Sequence, residues 1–64
     1  MMMTATTVRV LRLFQPGNVV HWIPAGTKIE FTPAPGRHGT YLVTLADGRT
    51  GTAARASVRA ATRR

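Results

Sequence analysis

Chain-breaking residues recur along this chain at intervals too short for any long element between them. Pro16-Gly17-Asn18, Pro24-Ala25-Gly26, the stretch 33–39 "PAPGRHG" and Asp47-Gly48 all carry residues that fix φ at about −65° or accept a positive φ. Between them lie short segments in which apolar residues alternate. Period-two segments bounded by turn residues are strands. The chain is therefore expected to be all-β, with no helix longer than about two turns.

From Thr7 to Phe14 the alternation set by Val8 and Val10 changes parity at Leu11 and Leu13, which predicts a bulge or sharp bend in the first strand. Residues 15–18 should turn. "VVHWI" is a second extended piece, with Val20 and Trp22 on one side and Val19, His21 and Ile23 on the other, ended by Pro24. In "AGTKIEFTP", Ile29 and Phe31 should face inward and Lys28, Glu30 and Thr32 should face water. Residues 33–39 read as an exposed loop. Tyr41, Val43 and Leu45 share a face opposite Leu42 and Thr44. Asp47-Gly48 predicts a two-residue type I′ hairpin with a positive φ at Gly48. A return strand over Arg49 to Ala53 follows, in which Gly51 marks a bulge or a close backbone approach. "ARASVR" is expected to form a corner and a last short strand around Ser57 to Arg59.

About five short strands in 64 residues point to a small barrel, since closure removes the exposed sheet edges that invite aggregation. The expected division is a flexible N-terminus over 1–6, the barrel over 7–60 and a basic tail over 61–64, with Arg63 and Arg64 as a flexible arm. A domain of this size buries only about 60% of its unfolded surface. Without cysteine it has no disulfide staple, so stability must come from a tight core or from self-association. The start "MMMTATTVRVLRLF" lacks the layout of a secretory signal, its apolar run being interrupted by Arg9 and Arg12. No window approaches the ~20 apolar residues of a membrane span. The expectation is a cytoplasmic chain with no membrane partner.

Two segments together resemble the bacterial SH3-like domains. "PAGTKIEF" supplies that family's Pro-x-Gly-Thr before a strand, at Pro24, Gly26 and Thr27. "TYLVTLADGRTGTAARASVR" supplies its aromatic strand at Tyr41, Val43 and Leu45, its turn at Asp47-Gly48, and its ending at Gly51 and Ala56-Ser57-Val58. Where the family places Trp-Val after the glycine, this chain has Thr52 and Ala53. The resemblance implies a small SH3-like barrel. It does not choose an activity, because one fold carries many functions.

Catalysis needs convergent acids, bases or nucleophiles. The chain offers Asp47, Glu30, His21, His38 and Ser57; the turn accounts for Asp47 and a solvated strand face for Glu30, while the histidines lack the close spacing of a metal site. A binding protein without catalytic residues, metal or cofactor is expected. Nine basic residues against two acids, a net charge of +7, predict attraction to polyanions. The candidates for nucleic-acid contact, DNA or RNA, through backbone phosphates are Arg9, Arg12, Lys28, Arg37, His38, Arg49, Arg55 and Arg59. Trp22 and Tyr41 are candidates for aromatic stacking, set against the ordinary place of aromatics in a tiny barrel, the core. The alternative is a protein-interaction module, such as a phage- or plasmid-type factor docking on a host protein, or a homo-oligomer.

Overall fold

The computed structural model describes residues 2–62. Six strands form one open antiparallel sheet: β1 (Met3–Thr6), β2 (Leu11–Gln15), β3 (Val19–Ile23), β4 (Lys28–Pro33), β5 (Thr40–Leu45) and β6 (Thr50–Ala54), followed by one helix, α1 (Arg55–Ala61). The spatial order is β1-β4-β5-β6-β2-β3. The all-β expectation holds, with one strand more than the five anticipated. The alternation resolves into two faces. Leu11, Leu13, Ile23, Ile29, Phe31 and Val43 are buried on the inner face, while Lys28, Glu30, Arg12, Phe14 and Trp22 stand on the outer one.

Four expectations are corrected. Residues 3–6 are not a loose terminus: they form β1, paired with β4 in the register Met3↔Phe31 to Thr6↔Lys28, with Met3 and Ala5 packed on the core. Without β1 the hydrogen-bonding edge of β4 would stand open. The parity change is a break between strands rather than a bulge. The chain leaves β1, bends at Val8 and Arg9, and enters β2 in a different part of the sheet.

The third correction is the C-terminal end, where the strand expected at 57–59 is part of α1. Alanine and arginine favour helix, and Val58 and Ala61, three apart and therefore on one helical face, are the two residues it buries. Its seven residues make just under two turns. The helix is anchored at both ends: the Arg55 N–H donates to the Gly39 carbonyl at 2.8 Å and the Val8 N–H donates to the Ala61 carbonyl at 2.6 Å. The expected tail thus begins inside the fold at Ala61, and Arg63 and Arg64 lie outside the described residues.

The Asp47-Gly48 hairpin is real, but its loop has three residues. The Gly48 N–H donates to the Leu45 carbonyl and the Leu45 N–H to the Arg49 carbonyl, and Gly48 has φ +90° while Asp47 does not have a positive φ. A tight turn followed by a left-handed glycine is the standard three-residue solution. It leaves the Asp47 carboxylate free to accept the Arg49 N–H at 3.0 Å and Arg49 Nε at 2.7 Å.

The Pro24-x-Gly26-Thr27 motif has a structural task. Thr7, buried just after β1, donates its Oγ1–H to the Pro24 carbonyl at 2.9 Å and accepts the Thr27 N–H at 3.0 Å on the same oxygen. Its N–H donates to the Thr27 carbonyl, and its carbonyl accepts from Gly26 N–H. The end of β1 is thereby tied to the segment that follows β3, so the two edges of the open sheet converge at this corner.

Candidate nucleic-acid interface

The β2–β3 hairpin turns through Pro16, Gly17 and Asn18, where Gly17 has φ +84° and Asn18 φ +62°. Gln15↔Val19 closes the pairing, and the register then fixes Phe14 opposite Val20 and Arg12 opposite Trp22. Partners in an antiparallel pair project to the same side, so all four side chains share the outer face. They are exposed there: 62% for Trp22, 46% for Phe14 and 41% for Val20. The Arg12 guanidinium carbon lies 5.8 Å from the Trp22 ring centroid and 6.0 Å from that of Phe14. Both are cation–π distances. The result is a small platform of two rings that share one planar cation.

The platform continues across the sheet. Phe14 is also paired with Thr52 on β6, Thr52 with Leu42 on β5, and Leu42 with Thr32 on β4. With Val20 on β3 at its end the row crosses five strands, and at ~4.8 Å per strand it is about 19 Å wide. A groove of about 400 Å³ runs along it, walled by Phe14, Leu42, Thr52 and the 34–39 loop residue Arg37. Beneath the groove, Gly51 sets how closely β6 approaches β2, because its missing side chain would point toward the core. A Cβ there would stand 2.6 Å from Leu13 Cγ and 2.8 Å from the Phe14 carbonyl oxygen, so β6 approaches β2 more closely than any other residue allows.

Arg37 also borders a second groove, of about 440 Å³, lined by His38, Tyr41 and Arg55 with the backbone of the loop. The loop takes this shape through Gly36 and Gly39, both at positive φ, and through the Arg37 N–H donating to the Ala34 carbonyl. Arg37 thus stands where the outer-face groove and the loop groove meet. Neither groove is lined by an acidic residue.

The structure therefore places Arg12 and Trp22 of the expected set on the platform and Arg37, His38 and Arg55 around the loop groove, the two groups linked by the outer-face groove that Phe14 and Arg37 both line. It does not bring the other bases to them. Arg9 sits in the β1–β2 bend; Lys28 lies at the start of β4 beside Glu30; Arg59 lines a third cleft with Met3 and Phe31, which meets the loop groove at Tyr41 alone. Arg49 is held by Asp47, whose carboxyl stays below the usual carboxylate range because it accepts the Arg49 backbone N–H and then the Arg49 side chain. The two aromatic candidates part company. Tyr41 is half-buried against Phe31, with ring centroids 5.0 Å apart, whereas Trp22 is not in the core at all.

Phe14 and Leu42 are site residues that sequence reasoning missed. Phe14 was legible in principle, because it shares the parity of Arg12 and a short turn must set that pair against Val20 and Trp22. Leu42 was not, since its exposure depends on which strands flank β5. No protein-family model matches the chain, and neither a curated protein nor a solved structure is significantly similar to it.

Proposed function

We propose that this protein is a small basic binding module of the SH3-like barrel type that holds nucleic acid on the outer face of its sheet. The observation that carries the reading is Arg12 laid against two exposed rings, on a path that leads through Arg37 to Arg55. Exposed aromatics interleaved with arginine suit bases and phosphates together, and the net charge of +7 supplies the long-range attraction. The strand arrangement and the Pro24-x-Gly26-Thr27 clamp support the barrel assignment.

The test is salt dependence. Each phosphate neutralised lowers log affinity by roughly 0.7 to 0.9 per unit of log salt. Replacing Arg37 and Arg55 together by Ala should reduce that slope by between about one and two units, while Arg59→Ala should leave it unchanged, because Arg59 lies in neither groove. Equal slopes for all three proteins would remove the phosphate path.

A second reading, docking on a protein, draws on β3. It is an edge strand without a charged residue, and Val19, Val20 and Trp22 on it are exposed. Such an edge is a template for another strand. Self-pairing would show as a doubled mass in solution.

A further inference from the structure

We infer that the hairpin platform takes unpaired bases, so that the ligand is single-stranded nucleic acid rather than duplex. This rests on the nucleic-acid reading above and names the ligand of that same site. The rings of Trp22 and Phe14 stand on adjacent strands with the Arg12 guanidinium near both, and the row beyond them is a groove, not a ridge. A duplex keeps its base faces inside the stack and offers only edges to a protein. Reading those edges, or kinking the duplex, takes an element that projects into a groove. The platform's exposed ring faces beside one guanidinium would find no base face in a duplex groove, even one that a sheet can enter. The platform can stack a splayed base against Trp22 or Phe14 and leave the sugar-phosphate chain to run along the Phe14–Leu42 groove toward Arg37.

Charge and area both select this occupant over a second copy of the chain. The platform has a cation at its centre, so two copies face to face would set Arg12 near Arg12. The apolar area offered by Trp22, Phe14 and Val20 is on the order of 300 Å². A stable protein pair needs roughly 800 Å² from each partner. Two or three bases need far less, and they bring the opposite charge.

Trp22 is the single tryptophan of the chain, so its emission reports the platform alone. The experiment titrates the full chain at low salt with a twelve-nucleotide oligo-thymidine strand, an abasic strand of equal length and charge, and a twelve-base-pair duplex. The expected result is quenching of Trp22 emission by oligo-thymidine, with the abasic strand and the duplex each bound about tenfold or more weakly and without quenching. Trp22→Ala should lose about tenfold in affinity for oligo-thymidine, read by anisotropy of a labelled strand, and Trp22→Phe should recover most of it. Abasic and oligo-thymidine strands bound alike, or Trp22→Ala binding oligo-thymidine as tightly as wild type, would overturn the single-strand inference while leaving the nucleic-acid reading in place. Tighter binding to duplex, with Trp22 quenched, would do the same. No binding to any of the three would overturn both, and a dimer in solution broken by Trp22→Ala would then assign the platform to protein docking.

Discussion

Two hairpins of this protein have similar lengths and contrasting surroundings. In β5–β6 both strands are flanked by others, Val43 and Ala53 fill the core, and the turn is fastened by Asp47 on Arg49. In β2–β3 one strand is an edge, Leu11, Leu13 and Ile23 are buried, and the opposite face carries two exposed aromatics and an arginine. A central hairpin has a neighbour for each backbone edge, so substitutions there act mainly on stability. An edge hairpin with one face in the core can give the other face to a ligand at little cost to folding.

The largest effect expected from this contrast is at Gly51. Gly51→Ala puts a methyl against the Phe14 carbonyl and Leu13, and neither a backbone oxygen nor a packed core leucine can yield far. The cost should be about 3 kcal/mol, a fall of more than roughly ten degrees in Tm for a domain this small. A thermal melt within two or three degrees of wild type, marked as about half a kcal/mol, would show that β6 and β2 are not held as tightly as the central position implies.

Thr7 comes next. Thr7→Val keeps the shape but leaves the Thr27 N–H without its acceptor, while Pro24 keeps the Thr27 hydroxyl at 2.7 Å. The expected loss is about 1–2 kcal/mol, read from the urea midpoint. Because this corner ties the two sheet edges together, the loss should be accompanied by faster amide exchange in both β1 and β3.

Trp22 sharpens the contrast from the other side. Its exposure predicts that Trp22→Ala changes stability by no more than about 0.5 kcal/mol, even as oligonucleotide affinity falls. A strongly destabilised variant would make Trp22 a structural residue and return the β2–β3 hairpin to the same class as β5–β6.

The smallest effect belongs to Asp47. Its native pKa is lowered, so its contribution to stability is fully present above the ordinary carboxylate pKa of about 3.9 and fades as pH falls through the lower native value. Urea midpoints of wild type and Asp47→Asn should differ slightly at pH 6 and converge in strong acid, with the pH 6 difference shrinking in high salt. A difference that grows on acidification would contradict the sign.

Much of the sheet was legible because strand signals are local. Ile29 and Phe31 alternate with Lys28, Glu30 and Thr32, and the buried and water-facing sets follow that order in β4, with Thr32 partly covered. Gly51 was readable as a close approach for the same kind of reason: a bare glycine between strand residues needs a cause. The site was less legible. Arginines scattered in sequence gave no grounds to separate Arg37 and Arg55 from Arg49 and Arg59, since that depends on which loop abuts which strand.

By itself the sequence determined where the turns fall, the positive φ of Gly48 and the inward set of β4, because these are properties of a few adjacent residues. The tertiary structure decided the rest. It recruited residues 3–6 to cover the edge of β4, and it turned residues 55–61 into a helix because Val58 and Ala61 find the core on one helical face. It left Trp22 outside because the face it shares with Arg12 lies opposite the core. Each of those outcomes is a choice of neighbour, and neighbours far apart in the chain are set by the packing of the whole sheet.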